Sequence, residues 1–211
     1  MNKNTIYKIL TWLLTAIAHY LKDIYPLYKL GKSEGGNLIS IDESFFLHIN
    51  GKKIWIVGSK NNQAFNIRLD VFKNRNEEDM KFFINNHIKE YNTIITGCWS
   101  VYQFLDHSNY VHEVHIHGPN GIFGFGFHST SHIEGLRGKL KSIINKIYNC
   151  VLCDNFILFL REAEFRYKLN RLENFEDKEK KIIDVLEYLY NTVNYEFYDM
   201  DELLDNNDYD L

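Results

Sequence analysis

The stretch LISIDESFFLHINGKKIWIVGSKNNQAFNIRLDVF, residues 38–72, carries the pattern that decides the fold. It contains three short apolar runs, at 38–42, 54–57 and 65–72, and an Asn-Gly pair typical of a tight turn follows the first of them. Short runs rich in Ile, Val and Phe and separated by turn residues are typical of buried strands. The stretch therefore predicts a three-stranded antiparallel meander, with Asp42 near the C-terminal end of its first strand.

Strand and helix patterns alternate after the meander. Short apolar runs predict strands at 93–96 and 110–116, with a short helix at 99–105 between them. Apolar residues at helical spacing predict longer helices at 77–90, 131–148, 154–171 and 177–192. Strands first, then strands alternating with helices, favour an α+β fold with a mixed sheet and helices packed on it.

The N-terminal segment combines Lys3 and Lys8 with an apolar run from Ile9 to Ala18, a pattern that secretory signals also have. The run is too short to cross a membrane. Its apolar residues continue at helical spacing as far as Tyr28, so we expect an amphipathic helix of the folded protein within 4–30. We expect neither secretion nor a membrane partner.

The net charge of -4 comes from the last twenty residues, which hold seven acidic side chains and no Lys or Arg. Without those seven charges the net charge is +3. Acidic tails are usually solvated and disordered, but a tail that lies over a basic groove and competes with nucleic acid stays open as an alternative. The 3 cysteines are too few for a disulfide framework and indicate a reducing compartment.

Several motifs follow one another between residues 33 and 168. They are GGNLISIDES at 35–44, WIVG at 55–58, Arg75, TGCWSVY at 96–102, YVH at 110–112 with His117, HSTSHIEG at 128–135 and FLREAEFR at 159–166. In this order and spacing they resemble the Merlin-type transposases of eukaryotes and the related ISXO-like transposases of bacterial insertion sequences. The resemblance implies a ribonuclease-H-like fold, a mixed sheet flanked by helices.

The resemblance also implies a catalytic site in which carboxylates hold two divalent ions, Mg²⁺ or Mn²⁺. It assigns Asp42 and Glu134 as catalytic residues and metal ligands. The middle ligand, an Asp in the family, is Gly97 in this chain, and a glycine has no side chain to hold a metal. Cys98 and Asp106 are poor substitutes, because thiolate is a soft ligand and Asp106 lies about two helical turns further on.

In part of the bacterial group, the last ligand is the Asn of an H-T-N motif rather than the Glu. That position is Ser131 in this chain. On this alternative, two of the three ligands are absent. Either pattern predicts weak or lost metal binding. Mg²⁺ or Mn²⁺ is then expected as the cofactor of the ancestral enzyme.

Four basic residues give the predicted helix 131–148 the charge expected of a helix that contacts DNA phosphates. They are Arg137, Lys139, Lys141 and Lys146. Solubility alone would also produce such a pattern. Arg137 stands where the resembled family usually has Trp.

We therefore expect a ribonuclease-H-like core at 33–172, preceded by a helical segment at 1–32 and followed by a helix with an acidic tail at 173–211. The expected function is that of a transposase-derived protein that is catalytically inactive and retains binding of DNA or of a protein partner. An active metal-dependent strand transferase or nuclease is the first alternative, and a protein-interaction module is the second. The expected location is the nucleus if the source is a eukaryote and the cytoplasm otherwise.

Overall fold

The computed structural model describes residues 2–24, 29–49, 52–64, 66–72, 74–115, 130–148 and 156–192. The predicted turn at 50–51, the motif residues His117 and His128, and the acidic tail lie outside these residues. The chain divides into two compact units. One contains Met1–Ile24 and Leu152–Leu211, and the other contains Tyr25–Val151.

Unit Tyr25–Val151 is built on a five-stranded sheet with the order β3-β2-β1-β4-β5. The strands are β1 Leu38–Ile49, β2 Lys52–Asn61, β3 Ile67–Phe72, β4 Thr93–Thr96 and β5 Val111–Val114. The first three are antiparallel, whereas β4 is parallel to β1 and β5 is parallel to β4. This order and these directions are those of the ribonuclease-H-like fold, so the predicted mixed sheet is confirmed.

The first strand is longer than predicted. It continues from Asp42 to Ile49, because its antiparallel pairing with β2 extends to the pair Ile49 and Lys52. One irregularity interrupts the pairing, between Phe45 and Leu47. Asp42 therefore lies in the middle of β1 and not near its end.

Helix α2, Glu77–His87, and the 3₁₀ helix Ser100–His107 supply the apolar cluster on one face of the sheet. Asn76 caps α2, since its side chain accepts a hydrogen bond from the Asp79 backbone N–H. The cluster joins strand residues to these helices; its members include Ile39, Ile41, Val57, Phe83, Ile84, Ile94 and Tyr102. The alternation of strand side chains leaves Ser40, Asp42 and Gly58 on the opposite face.

Helix α3, Ser131–Tyr148, packs on that opposite face, against β1 and β2. Ile133, Leu136 and Leu140 are its buried apolar residues. Gly58 pairs with Asp42 across β1 and β2. A Cβ atom at Gly58 would lie 3.0 Å from the Ile133 Cδ1 atom, so the glycine allows α3 to approach the sheet closely.

The other unit consists of three described helices, α1 Lys3–Ile24, α4 Phe156–Leu169 and α5 Phe175–Thr192. Helix α1 contacts both α4 and α5 and buries Ala16, Tyr20 and Leu21, as expected of an amphipathic helix. No helix in the described ranges is long and apolar enough to cross a membrane. Helix α4 falls within the predicted core segment 33–172 but packs with α1; the predicted segment boundaries themselves stay a prediction.

Candidate active site

Asp42 is the centre of the candidate site. Its side chain is 23% exposed and lies next to Arg137 of α3. Burial raises the pKa of the Asp42 carboxyl to about 6, against the opposing influence of Arg137, and the negative charges of Glu43 and Glu134 add to the rise. The charge of Glu134 therefore acts on the Asp42 carboxyl, and the assignment of both as metal ligands stays a prediction.

Glu134 lies in the first turn of α3 and is held there by Thr130. The Thr130 hydroxyl donates a hydrogen bond of 3.1 Å to the Glu134 Oε1 atom. The same hydroxyl is 3.3 Å from Nδ1 of His115, the residue that follows β5. A carboxylate at a helix N-terminus is stabilised by the helix dipole. Ser131, the alternative ligand position, is the first residue of α3.

The register of β4 shows where Gly97 stands. In the parallel pair of strands, Leu38 lies opposite Thr93 and Ser40 lies opposite Ile95. Continued by two residues, this register sets Gly97 beside Asp42 on the same face of the sheet, since alternate strand residues share a face. A Cβ atom at Gly97 would meet no atom of the described chain within 4 Å. A larger side chain therefore has room at this position.

The two residues considered as substitutes for the middle ligand have other contacts. The exposed Cys98 places its Sγ atom 3.7 Å from the His115 carbonyl oxygen. Asp106 Oδ1 lies 2.7 Å from Nδ1 of His112, and Nε2 of the same ring lies 2.9 Å from the Thr96 hydroxyl. Asp106 thus orients His112 against the last residue of β4.

Arg137 and Lys141 of α3 both contact β1. Arg137 Nη1 forms an ion pair of 2.5 Å with Asp42 Oδ2 and donates a hydrogen bond of 3.0 Å to the Glu43 carbonyl. Lys141 Nζ donates a hydrogen bond of 3.1 Å to the Phe45 carbonyl. Four residues along a helix and two along a strand both span roughly 6–7 Å, so the two contacts fit side by side. Arg137 and Lys141 hold α3 on the part of β1 that lies beyond Ser40, the last residue of β1 that pairs with β4.

The residues predicted to bind DNA differ in their surroundings where the structure describes them. Arg137 and Lys141 are half-buried in contacts with β1, whereas Lys139 is exposed. Lys146 belongs to α3, but its side chain is not among the described ones.

A second network, which the sequence analysis did not recognise, lies beside Asp42. Glu43 accepts a hydrogen bond of 2.9 Å from the Tyr102 hydroxyl, and its other oxygen lies 3.9 Å from Arg75 Nη1. The Arg75 guanidinium lies 3.8 Å from the ring centre of Trp55 and 4.7 Å from that of Trp99. Burial and the nearby Glu43 raise the pKa of Tyr102 well above its usual value. All five residues stand in the quoted motifs, and only the fold shows that they meet.

The donor set does not fit a two-metal cage. Such a cage needs several hard oxygen ligands, and Gly97, which stands where the family resemblance implies the middle ligand, has no side chain to supply one. One oxygen of Asp42 is already paired with Arg137. Among the described residues, no group of three or more His, Cys, Asp or Glu side chains is placed to hold a metal ion.

Comparison with known proteins gives one family match. The model of the ISXO2-like transposase domain matches residues 41–168. No curated protein matches the chain.

Many solved structures are similar to the chain, including the following two. One is from the simian T-cell lymphotropic virus intasome in complex with PP2A regulatory subunit B56 gamma, with 15% identity and a TM-score of 0.48. That match covers 69% of this chain and about half, 52%, of the other. The HTLV-2 integrase catalytic core domain in complex with magnesium, in its trimeric form, has 14% identity and a TM-score of 0.45, with coverage of 69% and 90%. The fold assignment rests on the strand order of the chain itself.

Proposed function

The chain belongs to the family of ISXO2-like transposase domains, and from this premise we propose that it is a transposase-derived protein that no longer transfers DNA strands and retains binding of DNA. The observation that carries the proposal is the ion pair between Asp42 and Arg137, which lies beside a glycine where the family resemblance implies a carboxylate. Mg²⁺ or Mn²⁺ is then the ancestral cofactor, which the present site binds weakly or not at all.

The chemistry of the reaction explains why this change abolishes catalysis. Strand transfer by two divalent ions requires oxygen ligands that hold both ions about 4 Å apart, one beside the attacking oxygen and one beside the leaving oxygen. Asp42 and Glu134 are the remaining carboxylates, and Glu43 is engaged by Tyr102 and Arg75. Two carboxylates, one of them neutralised by Arg137, provide too few ligands for two ions.

The unmodified protein should therefore not nick DNA. We expect supercoiled plasmid incubated with the protein and Mn²⁺ or Mg²⁺ to stay intact at the background level, and the Asp42→Ala variant to give the same background. Gel electrophoresis of the plasmid measures both. Nicking by the unmodified protein that Asp42→Ala abolishes would show an active metal-dependent nuclease and overturn the proposal.

Retained DNA binding is supported by the charge of α3. Lys139 is exposed, while Arg137 and Lys141 hold the helix against the sheet. Apart from the acidic tail, the chain carries a net charge of +3. Phosphate contacts of this kind are independent of base sequence and weaken with added salt.

Lys139→Glu should weaken binding to all DNA duplexes about equally and reduce the slope of log affinity against log salt by about 1. Fluorescence anisotropy with two unrelated duplexes between 50 and 200 mM salt, roughly the range in which such binding changes most, measures both quantities. Lys180→Glu is the matched control, since Lys180 is exposed on α5 and is not predicted to contact DNA. Equal losses in both variants, or no DNA binding by the unmodified protein, would contradict retained DNA binding.

A protein partner is the second candidate. Helices α1 and α5 expose large apolar side chains, which include Ile6, Ile9, Leu10 and Trp12 on α1 and Ile182, Ile183 and Leu186 on α5. Exposed apolar side chains that cluster on helix surfaces are typical of interaction sites. The same anisotropy measurement separates the two candidates. DNA binding supports the first, whereas binding of a partner through these apolar side chains requires no affinity for DNA.

A further inference from the structure

We propose that Arg137 is a built-in counter-ion at Asp42, whose guanidinium takes the place of a divalent cation at this carboxylate. The proposal deepens the proposed function and rests on it, since it assumes that the site descends from a metal cage. It predicts that the site is closed to metal ions for two separate reasons, the absence of a side chain at Gly97 and the presence of the Arg137 charge.

The guanidinium of Arg137 lies where a metal ion would have to approach Asp42. Arg137 Nη1 lies 2.5 Å from Asp42 Oδ2 and 3.0 Å from the Glu43 carbonyl oxygen. A divalent ion would need to approach a carboxylate oxygen to about 2.0–2.6 Å. A permanently charged guanidinium at hydrogen-bonding distance from the same oxygen occupies that approach and repels a second cation.

The packing of α3 holds the guanidinium in this position. Ile133, Leu136 and Leu140 anchor the helix on the sheet, and Lys141 ties the following turn to the Phe45 carbonyl. The Arg137 side chain is 32% exposed. The helix is fixed on both sides of Arg137, which keeps the guanidinium within reach of Asp42, and the planar guanidinium loses little freedom per hydrogen bond that it forms.

The distribution of charge explains why a counter-ion is needed here. Three carboxylates, of Asp42, Glu43 and Glu134, lie close enough for the last two to raise the pKa of the first. Carboxylates that are largely shielded from water destabilise a fold when they have no partner. Glu43 pairs with Arg75 and accepts a hydrogen bond from Tyr102, and Glu134 accepts one from the Thr130 hydroxyl. Arg137 forms an ion pair with Asp42 and so offsets the negative charge of the site without a metal.

The test measures Mn²⁺ affinity in variants that restore the missing carboxylate. We expect Gly97→Asp to bind Mn²⁺ weakly, and Gly97→Asp/Arg137→Gln to bind it at least tenfold more tightly. Glutamine keeps the aliphatic stem and a polar end group but carries no charge. Electron paramagnetic resonance of free Mn²⁺ gives the dissociation constants, and the rise in Tm with added Mn²⁺ gives an independent measure.

Gly97→Asp/Lys141→Gln is the matched control. It removes one positive charge from the same face of α3, one helical turn further on, where Lys141 contacts a backbone carbonyl. We expect its Mn²⁺ affinity to equal that of Gly97→Asp alone. Equal affinities of the two double variants, or no gain from Arg137→Gln, would overturn the proposal.

If the Gly97→Asp proteins fail to fold, a double-mutant cycle of Arg137 and Asp42 still tests the proposal. It compares Tm values in the absence of metal. Arg137→Gln should lower the Tm of the unmodified protein, and Asp42→Asn should remove most of that loss, because the carboxylate no longer needs a counter-ion. Additive losses would overturn the counter-ion role. The plasmid assay bears on the proposed function alone, so a failure of either conclusion can be told from a failure of the other.

Discussion

Glu164→Ala should lower the free energy of unfolding of the helical unit by about 3–5 kcal/mol, the effect expected when one partner of a buried ion network is removed. The Glu164 side chain is fully buried in α4, between Arg161 at 3.3 Å and Lys168 at 3.2 Å. These cations are themselves only 13% and 21% exposed. Alanine would leave both charges largely shielded from water and without this partner.

Glu162→Ala is the matched control on the same helix. Its carboxylate lies 2.6 Å from Arg166, whose side chain is 51% exposed and can return to water when the partner is lost. We expect a loss of about 1 kcal/mol or less from the broken pair. Hydrogen exchange of peptides from α4, read by mass spectrometry, measures both variants locally. A loss for Glu164→Ala no greater than that for Glu162→Ala would contradict the assigned role of the buried charge.

Gly58→Val should destabilise the sheet unit by about 1–3 kcal/mol through overpacking. Valine has a higher strand propensity than glycine, so a loss of stability would report crowding against the neighbouring side chains and not a weaker strand. A Cβ atom at this position lies 3.0 Å from Ile133 Cδ1 and 3.1 Å from Leu69 Cδ2, and the two γ carbons of valine need further space. Urea unfolding followed by tryptophan fluorescence, with Trp55 and Trp99 as the reporters in this unit, measures the change.

The neighbour Ile133 provides the internal control for this effect. Ile133→Ala alone should destabilise the unit through a cavity, by about 2–5 kcal/mol. In the double variant, the valine side chain can enter the space that the isoleucine leaves, so the combined loss should be smaller than the sum. Strictly additive losses would mean that Gly58 does not set the distance between α3 and the sheet.

The close packing at Gly58 also bears on the candidate site. Gly58 lies opposite Asp42 in the pairing of β1 with β2, and α3 carries both Ile133 and Arg137. A residue that displaces α3 from the sheet should therefore lengthen the contact between Arg137 and Asp42. We therefore expect helix α3 to link the packing of the core to the ion pair of Asp42 with Arg137.

The sequence by itself determined the type and order of the secondary-structure elements, but not the length of β1. Apolar periodicity is a local property, and it predicted the strands, the helices and, with the quoted motifs, the ribonuclease-H-like sheet that the strand order confirms. It also shows a glycine at position 97, where the family resemblance implies a carboxylate, and the absence of a side chain there does not depend on the fold. The identities of Asp42 and Glu134 as site residues came from the motifs and stay a prediction.

Only the tertiary structure decided what the charged side chains contact. The period of α3 predicts a basic face, but whether a cation on it meets water, DNA or a carboxylate depends on how the helix docks on β1. Arg137 and the Glu43 carbonyl are 94 residues apart in the chain, and no local pattern records their contact. The same holds for the network of Glu43, Tyr102 and Arg75 and for the packing of α4 with α1. These contacts join distant segments, so they exist only after the chain has folded and each helix has taken its place.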